Sequence, residues 1–307
     1  MQIYNALSNV PQDAREQYVI IGNFDGLHLG HQALIKTAKE MALRAEKKLL
    51  LLTFEPHPRH VFRPDDPPFR ITPYALKARK LQEFGVDTLV SLPFDWEFAS
   101  QPAEEFVEKI LAEGLAAAHV VVGKDFCFGQ LRKGTPETIR QGGLNVTTIA
   151  AVMREDGKKY SSSSIRQHLR IGDISKANEM LGWDWEMEGI IVKGDQRGRE
   201  LGYPTANVPL GDTLHPAYGI YACFVRIEGE AEWWPSATNI GIRPMFELDI
   251  GQVEAHILNG FDRDIYGRRL HIRPVKRLRG EAKFDSLDNL IVQMEKDCAQ
   301  VLDILSA

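Results

Sequence analysis

Apolar residues in the first half of the chain fall into short unbroken runs, and the stretches between them repeat at helical period. Residues 18–21 (YVII) and the leucines of 47–54 (KKLLLLTF) are unbroken apolar runs, and 86–94 (VDTLVSLPF) and 116–130 (AAAHVVVGKDFCFGQ) add apolar stretches rich in branched and aromatic side chains with isolated polar residues. Such runs predict strands buried on both faces of a parallel sheet. Between them, Leu34, Ala38, Ala42 and Ala45 trace one stripe of a helix starting at Leu29, ITPYALKARKLQEFG reads as a helix ended by Gly85, and SQPAEEFVEKILAE reads as a third with Ser100 as N-cap. Residues 1–17 read as a short strand or coil. Thr147–Met153 adds a strand, the serines at 161–164 precede a further helix, and GDISKANEMLG closes the module. This alternation predicts a doubly wound α/β domain. At about residue 183 the pattern changes to EMEGIIVKG, GIYACFVRIEG, AEWWPSATNIG, GQVEAHILNG and RRLHIRPVKRLRG, short runs between turn residues that predict a small barrel or sandwich. A last helix, capped by Ser286, aligns Leu290, Met294, Asp297 and Val301 on one face. Two domains, 1–183 and 184–307, are expected.

Composition changes this picture only at the margins. With 44% hydrophobic residues, 307 positions can fill two cores. The formal net charge of −5 argues against a nucleic-acid surface. Cys127, Cys223 and Cys298 lie far apart and are expected as reduced thiols. The N-terminus has no basic region followed by an apolar one, and no apolar run approaches membrane-spanning length. A soluble cytoplasmic protein is expected, with small-molecule substrates, no membrane partner and at most a weak or transient homo-oligomer.

The chemistry concentrates at strand ends. Between the strand at 18–21 and the helix at Leu29 lies a polar turn with Gly22, Asn23, Asp25, Gly26, His28, Gly30 and His31. A strand feeding a helix through such a turn aims free backbone N–H groups at one spot, which favours an anion. The glycines admit phosphate close to the backbone, and His28 and His31, three apart, both face it. The spacing is neither G-x-G-x-x-G nor a G-K-[ST] loop, so neither a dinucleotide fold nor a P-loop is indicated. Prolines 56 and 58 fix the loop that presents His57, and Asp125 lies in VVGKDFCFG as a ligand contact or a strand-end cap. Serines at a helix start followed by Arg166 suit phosphate oxygens. In the second half, GDQRGRELGYPTAN places Thr205 and Asn207 two apart on an extended segment, on one side, where a magnesium ion and phosphate oxygens fit.

The H-x-G-H tetrad after G-x-F-D-G resembles the adenylyl/cytidylyl-transferase superfamily. In chain order, GNFDGLHLGHQ, TFEPHP, VGKDFCFG, SSSSIR, PTAN and QVEAHIL resemble the bacterial bifunctional riboflavin kinase/FMN adenylyltransferases, also called FAD synthetases. The resemblance implies a nucleotidyltransferase-like parallel sheet over 1–183 and a Greek-key β-barrel kinase with a C-terminal helix over 184–307. It also implies the reactions: ATP-dependent phosphorylation of riboflavin to FMN and ADP, then adenylylation of FMN to FAD with release of pyrophosphate, using Mg2+. Carried over residue by residue, His28 and His31 act on the triphosphate, and Glu254 is the base for the ribityl 5′-hydroxyl. Gly22, Asn23, Phe24, Asp25, Gly30, His57, Asp125, Ser161, Ser162, Ser163 and Arg166 contact nucleotide or phosphate in the first domain. Gly194, Gly198, Arg199, Gly202, Pro204 and Asn239 do so in the second, and Thr205 and Asn207 hold the metal. One departure stands out: Met245 occupies the place of the family's usual threonine in G-x-R-P-T-F, and the loop ELDIGQ after it is short, which bears on flavin-side binding and kinase efficiency. The competing readings are a nucleotidyltransferase with an inactive kinase module and a regulatory protein that binds flavin or nucleotide without turnover.

Overall fold

The computed structural model describes residues 1–194, 201–245, 248–261 and 263–306, with the backbone alone at 243–245 and 248–250. The chain forms two compact units, Met1–Asp66 with Tyr74–Ser161 and Pro67–Pro73 with Ser162–Ala307.

In the first unit, strands β1 (Gln2–Tyr4), β2 (Tyr18–Ile21), β3 (Leu49–Glu55), β4 (Thr88–Pro93), β5 (His119–Gly123) and β6 (Val146–Ile149) form one parallel sheet in the order β1-β4-β3-β2-β5-β6. The unbroken apolar runs have the expected cause. On β3, Leu50 and Leu52 enter one core with Phe106, Val107 and Leu111, while Leu49 and Leu51 enter the other with Ile35, Ala38 and Leu81. A strand whose successive side chains point to opposite buried faces has no position left for a polar residue. Helices α1 (Leu29–Arg44), α2 (Pro58–Phe62), α3 (Tyr74–Glu83), α4 (Trp96–Ala99), α5 (Ala103–Glu105, continuing as a π-helix over Phe106–Gly114) and α6 (Pro136–Gln141) complete the unit.

Several details differ from the sequence reading. The buried stripe of α1 is Ile35, Ala38 and Ala42; Ala45 is exposed and caps the helix end. Ser100 does not start α5. Its hydroxyl donates to the Trp96 carbonyl at 2.7 Å, closing α4, and Pro102 occupies the N-cap of the next helix. The strand expected to reach Met153 ends at Ile149, and Met153 pairs with Lys159 across a short turn.

The second unit is an antiparallel sheet of β7 (Met187–Ile190), β8 (Ala206–Pro209), β9 (Gly219–Ile227), β10 (Trp234–Met245), β11 (Leu248–Ile257) and β12 (Arg269–Arg279) in the order β7-β12-β9-β10-β11-β8. Val192, just beyond β7, pairs with Asn207 of β8, so the sheet nearly closes into a barrel. Leu248 to Gln252 of ELDIGQ, read as part of a loop, lie on strand β11, which begins at Leu248, and β10 runs to Met245; Glu247 lies outside the described residues. Helices α7 (Ser162–Ile171) and α8 (Ile174–Leu181) belong to this unit, as does residues 67–73. That segment is tied in through its carbonyls, Phe69 accepting from Arg166 Nε at 2.8 Å and Ile71 from Trp185 Nε1 at 3.0 Å. The C-terminal helix α9 (Leu287–Ser306) packs Val301, Ile304 and Leu305 against Ala222, Ala237 and Leu278. Its one buried carboxylate, Asp297, takes Arg279 Nε at 3.1 Å and Nη2 at 2.7 Å, so the charge buried with the apolar face is matched. Among the described residues, no helix is long and apolar enough to cross a membrane.

Candidate active sites in the two units

Strand order in the first unit reverses at β2, which has β3 on one side and β5 on the other. Ligands of open α/β sheets bind at the carboxyl ends of strands flanking such a switch. The turn after β2 lies there. Phe24, Gly26 and Leu27 adopt left-handed φ values of 48°, 86° and 44°. For the two non-glycines this costs on the order of 1 kcal/mol each. Phe24 is 2% and Leu27 0% exposed, so core packing holds the turn in this shape.

The turn delivers His28 to the N-cap of α1, where its Nδ1 accepts the His31 N–H at 3.2 Å. The two imidazoles stack at a centroid distance of 3.7 Å, and Phe24 packs on His31 at 4.9 Å. Gly30 makes this possible, because a Cβ there would stand 3.1 Å from His28 Nδ1. Burial pushes the His28 pKa down to about 4, and burial, then the neighbouring His28, pushes His31 well below its ordinary value. Both rings are therefore neutral near pH 7. Because Nδ1 of His28 accepts, its proton sits on Nε2, which is left as a donor. His31 Nδ1 is buried without a hydrogen-bond partner. Two neutral rings at the positive end of a 16-residue helix present ring and backbone N–H groups suited to an anion.

This burial has a measurable cost. Below its ordinary value of 6.5, His28 is protonated in the unfolded chain and not in the native one, until pH falls to about 4. Stability is therefore complete above pH 6.5 and falls as pH drops, by about 2 kcal/mol at pH 5 from His28 alone. Thermal unfolding of the first unit between pH 7.5 and 5 should be steeper in pH for the wild type than for His28→Asn, which keeps a capping acceptor without the titration. Equal slopes would show that His28 is not held neutral.

The remaining first-domain candidates are placed less uniformly. His57 caps α2, its Nδ1 accepting the Arg59 N–H at 3.1 Å at the carboxyl end of β3. Asp125 lies on the loop after β5, its side chain 70% exposed, with Lys159 Nζ at 2.7 Å; that hydrogen bond holds the carboxyl below its usual range. Asp25 is buried in the turn and Asn23 partly so, whereas Phe24 contributes its ring to the core and to His31. Ser161 belongs to the first unit; Ser162, Ser163 and Arg166 lie on α7 of the second, where Arg166 has Nε engaged by Phe69.

In the second unit, antiparallel register assembles the site. Glu254 on β11 lies directly opposite Asn207 on β8 and Asn239 on β10. Directly opposed residues share a face, so the three side chains form one row across three strands. Gln252 and His256, two residues either side of Glu254, share the same face. Asn207 is 6% exposed; its Nδ2 donates to the Thr205 carbonyl at 3.3 Å, and Gln252 Nε2 donates to its Oδ1. His256 Nδ1 lies 2.9 Å from the Pro204 carbonyl. Asn239 Oδ1 is buried and unpaired. Two cavities flank this row. One of about 260 Å³ is lined by Gly194, Pro204, Thr205, Asn207, Arg263 and Tyr266. The other, about 270 Å³, is lined by Thr205, Asn239, Glu254, His256, Met294 and Cys298. Thr205 borders both. Burial pushes the Cys298 thiol up to about 11, so it stands in the second cavity as a neutral group.

Gly202 lies in a turn at φ 85°. Gly198 and Arg199 lie outside the described residues, as does the side chain of Met245. Among the described residues, three ligand-type side chains meet at Glu186, Glu188 and His271, on and beside β7 and on β12 rather than at Thr205 and Asn207. Arg273 Nε contacts Glu186 at 3.1 Å, and His271 Nδ1 lies 2.9 Å from the same carboxylate, so this is an ion-pair network. The sequence reading missed Gln252 and the Arg279–Asp297 pair. The available signals were the shared phase of Gln252 with Glu254 and a lone acid in the apolar stripe of α9.

Comparison with known proteins bears on both units. A family model described as FAD synthetase matches residues 10–164, and one described as riboflavin kinase matches residues 181–305. The bifunctional riboflavin kinase/FMN adenylyltransferase of Bacillus subtilis is 35% identical over 97% of this chain and 95% of its own length. That of Escherichia coli K12 is 35% identical over 97% and 96%, and that of Pseudomonas fluorescens 36% identical over 97% and 96%. A Streptococcus pneumoniae crystal structure described as a macrolide-efflux protein superimposes with a TM-score of 0.84 at 32% identity, covering 96% of each chain.

Proposed function

The chain belongs to the bacterial bifunctional riboflavin kinase/FMN adenylyltransferase family, and on that premise we propose that it makes FMN from riboflavin with one ATP and FAD from FMN with a second. The observation that carries the reading is a coincidence of place. The FAD synthetase match, residues 10–164, contains the His28–His31 pair, and the riboflavin kinase match, residues 181–305, contains the Asn207–Glu254–Asn239 row. The functional division proposed is 1–183 for adenylylation and 184–307 for phosphorylation. A cytoplasmic setting is part of the proposal and is supported by three unpaired cysteines. Transport, named for the pneumococcal structure, has no counterpart among the described residues, none of whose helices could span a membrane.

In the kinase unit, Thr205 and Asn207 would hold Mg2+. The fit is chemical and steric: both offer neutral oxygens, as suits an ion that takes few protein ligands and fills its shell with phosphate and water. Gly194 supplies the space, since a Cβ there would lie 2.5 Å from Asn207 Nδ2. When bound, the ion offsets phosphate charge. Glu254 accepts the proton of the riboflavin 5′-hydroxyl as its oxygen attacks the γ-phosphorus, the bond to the bridging oxygen breaks, and ADP leaves. Thr205, bordering both cavities, supports nucleotide in one and flavin in the other. Asn239 Oδ1 is an unused acceptor for a ribityl hydroxyl. Gly194→Ala should lower FMN formation about tenfold, in the range seen when a ligand's support is lost. FAD formation from supplied FMN should stay unchanged.

In the adenylyltransferase unit, an FMN phosphate oxygen attacks the α-phosphorus of ATP and pyrophosphate departs. His28 Nε2–H, His31 and the start of α1 hold the phosphate charge as it shifts to the leaving group. Ser161, Ser162, Ser163, Arg166, His57 and Asp125 enter as phosphate or nucleotide contacts on the family resemblance. The test is conversion of riboflavin with Mg2+ and ATP, with products separated by chromatography. FMN followed by FAD is expected. FAD only from supplied FMN would remove the kinase assignment, with Met245 the first residue to examine, and neither product from folded, ATP-binding protein would favour a regulatory role.

A further inference from the structure

Gln252 is 6% exposed and carries no role in the mechanism above. Its carboxamide nitrogen lies 2.5 Å from Asn207 Oδ1 and 3.5 Å from Glu254 Oε1. These contacts have only one consistent arrangement. An ionised carboxylate is acceptor-only, so Gln252 turns its NH2, not its oxygen, toward Glu254. The same NH2 then faces Asn207, which answers with its oxygen. Asn207 Nδ2 is left for the Thr205 carbonyl, 3.3 Å away.

We infer that Gln252 is a positioning residue of the kinase site, fixing which end of the Asn207 carboxamide is its oxygen, the atom the cation takes. The inference rests on the proposal that Asn207 helps to hold Mg2+. Without Gln252, Asn207 and Glu254 remain directly opposite each other in register. The Asn207 NH2 would then turn to the carboxylate, putting a donor where the cation needs an oxygen and occupying the base. A carboxamide has one correct orientation out of two, and Gln252 selects it.

The test reads cation affinity, not turnover. Mn2+ binding to the full chain in the presence of ADP is measured by electron paramagnetic resonance, and the part abolished by Asn207→Ala is assigned to this site. Gln252→Met, which keeps length and removes the donor, should weaken that part about tenfold. In an Asn207→Asp background the same change should weaken it less than twofold, because a carboxylate presents oxygen either way round. A packing role would give equal losses in both backgrounds and overturn the inference, as would no loss in either, or the absence of any Asn207-dependent binding. FAD formation from supplied FMN monitors folding. A wild type that binds Mn2+ and ADP through Asn207 but forms no FMN would sink the kinase reading and leave the role of Gln252 standing.

Discussion

Replacing Glu254 with Gln should reduce FMN formation about a thousandfold while leaving FAD formation from supplied FMN within twofold of wild type. The substitution is nearly isosteric and keeps an oxygen for Gln252, so the row on β8, β10 and β11 should persist. What it removes is a proton acceptor beside the wall shared by the two cavities. A positioned general base contributes about a hundredfold to ten-thousandfold. The adenylylation rate of the same preparation serves as the folding control, since the histidine pair it depends on lies in the other unit. FMN formation that stays within threefold of wild type would exclude Glu254 as the base.

The second large effect is expected at the histidine pair, with the opposite selectivity. His28→Asn and His31→Asn should each lower FAD formation about a hundredfold or more, the scale of losing a donor aimed at developing charge. FMN formation should be unaffected. Asparagine at 28 separates two roles of the ring. His28 Nδ1 caps α1 through the His31 N–H, and a capping residue changed to Ala costs about 1 kcal/mol. Asparagine restores a capping acceptor but not the Nε2–H donor, so activity should fall with little loss of helix stability. If His28→Asn retains full FAD synthesis, the ring is a cap and the charge-stabilising role must pass to His31 and the backbone.

The two histidines also show how burial serves binding. Each is held neutral by its surroundings, so the protein alone places no charged imidazole beside the helix start. A bound polyphosphate would bring negative charge beside the rings and favour their protonation. Affinity for pyrophosphate should accordingly be accompanied by proton uptake.

Much of this was determined by the sequence alone. Unbroken apolar runs at 18–21 and 49–52 pointed to strands covered on both faces, and the change at about 183 marked the switch to an antiparallel unit, although the short runs read there extend into strands of 9 to 12 residues at β9 to β12. The turn after β2 and the PTAN segment were legible because local chemistry suffices: a strand end, a helix start, and polar residues spaced to share a side. Other features depended on residues distant in the chain. That β2 sits where the strand order reverses follows from pairing with β3 and β5, and nothing within 18–31 encodes its neighbours. Ile35 rather than Leu34 anchors the stripe of α1 because the sheet, not the helix period, sets the helix's rotation. Ser100 and Pro102 compete for one boundary, and Pro102 decides it because its ring disfavours helical backbone at the preceding Gln101. Gln252 gained a role only when β11 paired with β8, since an amide has two orientations and only its neighbours in space can choose between them.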